Sequence, residues 1–176
     1  MDENRNCVHI DYTLFVKERR TPQEICTEMG LGHLNFLKSR SGPSDEYKTG
    51  LSFGGITICH HGLDQEGVLV NFSGEGCKTF ERESPIGWEA LRKIATASDA
   101  HVTRLDIAYD DFNGVLDIRE LKRLRDESKY TSHLKINREE RTNKRIEDGL
   151  TVSFGAIGGD VFIKFYDKAA EQKIYG

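Results

Sequence analysis

The chain has 176 residues, of which 31% are charged, with a net charge of −4, a pI of about 5.9 and a mean hydropathy of −0.56. That length fits one domain over residues 1–176 with a core of its own, and an acidic balance excludes a globally basic nucleic-acid binder. No apolar run reaches transmembrane length, and no signal peptide or lipidation motif is evident, so the expectation is a cytoplasmic protein without a membrane partner.

In chain order, residues 8–16 predict a strand with Val8, Ile10, Tyr12, Leu14 and Val16 on one face. His9, Asp11, Thr13 and Phe15 fall on the other. Thr21-Pro22-Gln23-Glu24 has the form of a capping box with proline at the first helical position, so a short helix should run to Met29 and stop at Gly30. Residues 38–50 are polar and read as a loop. Residues 51–60 and 67–73 read as two strands of a long-looped hairpin. Ser73-Gly74-Glu75-Gly76-Cys77 contains Gly-x-Gly but lacks the third glycine of a dinucleotide fingerprint, and reads as a tight turn with no helix directly after it. Ser84-Pro85 opens a helix with Trp88, Leu91 and Ile94 or Ala95 inward. Residues 101–110 form the next strand, and a helix from Leu116 to Glu127 should bury Leu121 and Leu124. Residues 129–148 are polar and basic. Two further strands, 150–155 and 161–168, precede a helical start at Ala169. The chain ends inside that helix, as a truncated chain would.

The four cysteines, Cys7, Cys26, Cys59 and Cys77, form no Cys-x-x-Cys pair, which argues against a structural zinc site and fits free thiols in a reducing compartment. Cys59-His60-His61 is a poor metal motif, because adjacent strand residues point to opposite faces.

The order β-α-β-β-α-β, followed by a helix and more strands, predicts an α+β fold. Its mainly antiparallel sheet carries helices on one face around a split β-α-β, ferredoxin-like core. All the half-polar strands should join one sheet with 101–110 at its centre. Trp88, Leu91, Leu105, Ile107, Val152 and Val161 should lie in the core.

Two strands carry chemistry. In Thr103-Arg104-Leu105-Asp106-Ile107-Ala108-Tyr109-Asp110, alternation gathers Arg104, Asp106, Ala108 and Asp110 on one face. Asp106 and Asp110 sit roughly 13 Å apart along a straight strand, so neighbouring strands must complete any ion site. The small Ala108 leaves room for a ligand, and the third carboxylate is Asp11. Oxygen donors suit Mg²⁺ or Mn²⁺. In the second strand, Phe162, Lys164, Tyr166 and Lys168 share a face. A tyrosine between two lysines suits attack on phosphate, because the lysines attract the phosphate and favour the phenolate. Between Arg119 and Arg145 there are ten Lys/Arg against five Asp/Glu, a local basic stripe able to hold a polyanion.

Several stretches together resemble a known family. They are Ile10-Asp11-Tyr12, Phe72-Ser73-Gly74-Glu75-Gly76-Cys77, Thr103 to Asp111, Val152-Ser153-Phe154-Gly155 and Phe165-Tyr166-Asp167-Lys168-Ala169-Ala170-Glu171-Gln172. In this order they resemble the rolling-circle replication initiation factors of plasmids, phages and conjugative elements, the Rep trans family. The resemblance implies metal-dependent, strand-specific nicking and religation of origin DNA, single-stranded or cruciform, through a tyrosine–5′-phosphate intermediate. It matches Asp106 to the acidic position of the strand motif and Tyr166 to the tyrosine of the Tyr-x-Lys stretch. Members usually continue past that stretch.

The expectation is therefore a relaxase-like DNA nicking-closing enzyme in a bacterial host, with a homodimer among its options. Tyr166 would be the nucleophile, supported by Lys164 and Lys168. Asp106, Asp110 and Asp11 would bind Mg²⁺ or Mn²⁺, and Arg104, Arg138, Arg141, Lys144 and Arg145 would hold DNA. The alternative is a non-catalytic DNA-binding or regulatory protein on the same fold, stacking bases on exposed aromatics such as Phe162 and Phe15. A third reading is an interaction domain whose polar sheet face meets another protein.

Overall fold

The computed structural model describes residues 7–39, 47, 49–60, 67–129, 150–155 and 159–168. The chain divides into two compact units. One is Asn6–Asp110; the other joins Asp111–Gly176 to the first five residues.

The first unit runs β1 (Cys7–Lys17), α1 (Pro22–Glu28), β2 (Leu37–Ser39), β3 (Thr49–Phe53), β4 (Ile56–His60), β5 (Val68–Phe72), α2 (Gly74–Glu83), α3 (Gly87–Ala95), β6 (Ala100–Asp110). Its strands form one sheet in the order β2-β3-β4-β5-β1-β6, antiparallel at every step. The four strands β4-β5-β1-β6, with α1 and the α2–α3 pair as crossovers, are the expected split β-α-β core of an α+β fold. β2 and β3 extend it.

Several local expectations hold for local reasons. Thr21 caps α1: its hydroxyl accepts from the Glu24 amide at 3.3 Å, while the Glu24 carboxylate accepts from the Thr21 amide at 2.8 Å. The helix closes at Met29, and Gly30 takes a left-handed φ of 70°. The 51–60 segment departs from expectation and is two strands. Gly54 and Gly55 adopt φ of 49° and 81°, a turn that only glycine enters cheaply. Residues 73–77 depart too, since α2 starts at Gly74. Ser73 is its N-cap, accepting from the Gly76 amide at 3.2 Å.

The core lies between the sheet and the three helices. Phe72 is fully buried, its ring 6.4 Å from Phe15, 5.6 Å from Phe80 and 6.4 Å from Trp88. Leu91 is buried and Trp88 packs against the core, as expected. Leu105 and Ile107 do not enter it: they are 51% and 65% exposed. The reason is strand order. Residues 101–110 lie at the edge of the described sheet, and β1 takes the interior place between β5 and β6.

A bulge in β1 overturns its expected alternation. Ile10 pairs with Ile107, but Tyr12 pairs with Asp106, so Asp11 is an extra residue. Beyond it the faces exchange. Thr13, Phe15 and Lys17 turn inward with Phe72, Val70 and Val68 of β5, while Tyr12, Leu14 and Val16 turn to the face away from the helices. Phe15, expected as an exposed stacking platform, is therefore a fully buried core residue.

Lys17 is buried with a charge. Its ammonium donates to Asp99 Oδ1 at 2.8 Å and lies 4.0 Å from Glu28 Oε2, and Arg20 joins the same two carboxylates. Paired in this way, the buried charge is tolerable.

The second unit contains α4 (Ile118–Asp126), capped by Asp117, and a separate hairpin, β7 (Thr151–Phe154) with β8 (Ile163–Tyr166). The two strands were expected to join the larger sheet; within the described residues they pair only with one another. Val152 is fully buried, and Phe154 meets Phe165 edge-on at 6.1 Å. Val161, expected in the core, is 52% exposed because it precedes the strand.

Candidate functional site

The register of β1 against β6 assembles a cluster of unlike donors. Cys7 stands opposite Asp110 and His9 opposite Ala108, so all four side chains share the face away from the helices. His9 Nδ1 lies 3.9 Å from Asp110 Oδ2, and its Nε2 lies 4.0 Å from Asp11 Oδ1. Both distances exceed a hydrogen bond. The imidazole therefore sits between two carboxylates with a gap on each side. One ligand atom each from Cys7, His9 and Asp110 falls within 4.8 Å of the others. The methyl of Ala108 keeps the floor of this cluster low. A nitrogen, an oxygen and a sulfur converging over a small residue fit a divalent metal ion.

Asp11, displaced by the bulge, lies beside the first turn of α2. A Cβ on Gly74 would come within 3.1 Å of its Oδ1. Helix N-termini favour such a carboxylate.

Asp106 is engaged otherwise. Arg104 donates to it twice, and the guanidinium also lies 4.3 Å from the centre of the Tyr12 ring. The Asp106 hydrogen bond raises the Arg104 pKa above its ordinary value. Asp106 can ligate a metal only by releasing that guanidinium. On α2, burial pushes the Cys77 thiol up to about 12, with Asp11, Glu81 and Asp106 adding to the effect. Burial likewise raises Cys26 to about 11. These are inert packing thiols, whereas Cys7 is exposed.

In the second unit, Tyr166 pairs with Thr151 and Lys164 with Ser153, on the hairpin face opposite Val152 and Phe165. That is the face alternation assigns them. Lys164 Nζ stands 4.6 Å from the Tyr166 ring centre, and Tyr166 is 37% exposed. Lys168 lies past the strand end, where the Asp167 amide donates to the Leu150 carbonyl at 3.2 Å. Phe162 is exposed. Arg138, Arg141, Lys144 and Arg145 lie outside the described residues, as does His61.

Asp11 and Asp110 are thus brought to one histidine, and Asp106 to an arginine. Sequence reading missed Cys7 and His9 as metal donors. Their i, i+2 spacing on a strand was a usable signal, but their partner Asp110 is fixed only by register.

Two family models match in succession. Residues 7–87 match the "Rolling Circle replication initiation protein N-terminal domain", and residues 100–175 match "Replication initiation factor". NicK of Bacillus subtilis (strain 168), named as a candidate DNA relaxase, is 28% identical over 117 residues, which is 62% of this chain and 33% of NicK. A rolling-circle replication initiator protein from Geobacillus stearothermophilus has a similar structure. Its TM-score is 0.82 at 25% identity, over 96% of this chain and 69% of that one. The chain thus spans about a third of the length of its curated relative. No helix among the described residues is long and apolar enough to cross a membrane.

Proposed function

Because the chain belongs to the rolling-circle replication initiation factor family, we propose that it nicks and rejoins single-stranded DNA at a replication origin. The observation that carries this reading is the metal-fit cluster on β1–β6 of the first unit; the second unit, taken by itself, offers an exposed tyrosine beside Lys164 on β8.

His9 and Asp110 would hold a divalent ion, Mg²⁺ or Mn²⁺, with Asp11 across the imidazole. Asp106 would join them when DNA draws Arg104 away. When bound, such an ion polarises the scissile phosphate as a Lewis acid. Tyr166 supplies the nucleophile. A phenol with an unperturbed pKa of about 10 needs cationic help near neutral pH, and Lys164 stands beside the ring to favour the phenolate. Lys168 would lie near the same phosphate. The Tyr166 oxygen forms a bond to phosphorus as the bond from phosphorus to the 3′ oxygen breaks. The phenolic proton leaves to solvent, and the departing 3′ oxygen takes up a proton to become a hydroxyl. Rejoining reverses these steps. Arg104, Arg138, Arg141, Lys144 and Arg145 would hold the strand by its phosphates, a sequence-independent and salt-sensitive contribution.

The test is incubation with a panel of single-stranded DNAs and Mn²⁺, scored for a covalent adduct on a denaturing gel. Wild type should form the adduct. Tyr166→Phe should abolish it while leaving DNA affinity within about tenfold, or ~1.4 kcal/mol. An adduct persisting in Tyr166→Phe assigns the nucleophile elsewhere. Salt-sensitive DNA binding with no adduct on any substrate assigns the chain to the non-catalytic alternative.

A further inference from the structure

Hard-ion chemistry leaves one member of the β1–β6 cluster without a role. Mg²⁺ favours oxygen ligands in near-octahedral geometry and has little use for sulfur. Yet the residue placed directly across from Asp110 is Cys7, and its sulfur falls in the same 4.8 Å group as donors from His9 and Asp110. The other three cysteines are buried, and Cys7 alone is exposed. Strand alternation puts it two residues from His9 on the same face, so both side chains reach the same space.

We propose that Cys7 is a metal ligand, and that its thiolate makes this centre bind Zn²⁺ in preference to Mg²⁺. The inference rests on the metal-centre reading above and adds to it the choice of ion. Zinc takes cysteine, histidine and carboxylate together. Its bonds of about 2.3 Å to sulfur and about 2.0–2.1 Å to nitrogen or oxygen hold tetrahedral ligand atoms roughly 3.5 Å apart. Cys7, His9 and Asp110 need to close only modestly from their present spacing to meet that geometry. A water completes four-coordination, while Asp11 faces the other ring nitrogen of His9. As the sulfur–zinc bond forms, the Cys7 proton passes to solvent, with no change of oxidation state. Zn²⁺ would then occupy the place where the nicking reaction needs a harder ion, making nicking sensitive to zinc.

Co²⁺, a spectroscopic stand-in for Zn²⁺, tests the proposal directly. Metal-free protein is titrated with Co²⁺, then with Zn²⁺ in competition, and Mn²⁺ binding is measured separately. Wild type should show an intense near-ultraviolet thiolate-to-cobalt band that Zn²⁺ abolishes. Cys7→Ser, on an exposed strand end, should fold as wild type by circular dichroism and lack the band. It should lose about tenfold or more in Zn²⁺ affinity while keeping its Mn²⁺ affinity. Cobalt bound without the charge-transfer band, or equal Zn²⁺ affinity in Cys7→Ser, overturns the role of Cys7 and leaves the metal centre standing. Failure to bind Co²⁺, Zn²⁺ or Mn²⁺ at all overturns both. A band that survives in Cys7→Ser moves the thiolate to another cysteine and also overturns the proposal.

Discussion

Arg104 grips Asp106 through two parallel hydrogen bonds, Nε to Oδ1 at 2.9 Å and Nη2 to Oδ2 at 2.5 Å. Both oxygens of the strand's middle acid are therefore committed, whereas His9 keeps gaps of about hydrogen-bond-plus-one-ångström toward Asp110 and Asp11. For metal binding the consequence is a ranking. His9→Ala and Asp110→Asn should each weaken Mn²⁺ binding by about tenfold or more, ~1.4 kcal/mol. Asp106→Asn should weaken it less in the absence of DNA. Isothermal titration calorimetry on the free protein checks the order, and a larger loss in Asp106→Asn than in His9→Ala would reverse it.

Burial separates two apolar residues that look alike in sequence. Phe72 is fully buried among three aromatic rings, and Leu105 is half exposed on β6. Phe72→Ala should cost about 3–5 kcal/mol through lost burial and a cavity. Leu105→Ala should stay within about 0.5 kcal/mol. Urea unfolding of the two variants measures both.

The glycines of Ser73-Gly74-Glu75-Gly76 serve a close approach of backbones. A Cβ on Gly76 would collide with the Gly55 carbonyl oxygen, at the point where the β3–β4 turn meets α2. Gly76→Ala should therefore destabilise the first unit by about 1–3 kcal/mol, the range for overpacking. The expected sign is opposite to that of a glycine-to-alanine change in an uncrowded helix. Thermal unfolding of Gly76→Ala shows which applies.

The buried ammonium of Lys17 makes one acid transition foreseeable. Its hydrogen bond is the largest cause holding the Asp99 carboxyl below the ordinary value of 3.8. A depressed carboxyl contributes stability that is present above its unfolded pKa and is lost as pH falls through its folded value. The contribution should therefore decline as the pH falls below about 4, toward the depressed folded value. Asp99→Asn should be less stable than wild type at neutral pH, and the gap should narrow as the solution is acidified through that range. Lys17→Met, which removes the buried charge itself, should cost less than Asp99→Ala, which strands it. Stability curves from pH 2 to 7 decide both comparisons, where a constant gap would exclude the linkage.

What could be read in advance was local. The Thr21–Glu24 capping box and the face shared by Lys164 and Tyr166 depend on residues a few positions apart, and both are present. The split β-α-β order also followed from the succession of elements. What could not be read was pairing. Nothing within residues 101–110 says that only one flank is covered, so Leu105 and Ile107 carry a core-like pattern at the edge of the described sheet. The helix at Gly74 was hidden because two glycines argue against a helix unless a neighbouring backbone needs the space. Cys7 and His9 were visible as residues, but their chemistry depends on Asp110, a hundred positions away and set opposite by register.

The extra residue at Asp11 has a wider meaning for β1. It acts as a punctuation mark between two messages written in different frames on one strand. The segment before it sets Cys7 and His9 opposite Asp110 and Ala108; the segment after it addresses the interior through Thr13, Phe15 and Lys17. Without the offset, the odd-numbered residues of both halves would have to face the same way. One side of the sheet would then hold both the donors and the phenylalanine. With it, each half can drift in sequence under its own constraint. Residues at the open end of the strand can change without disturbing the packing grammar of the rest.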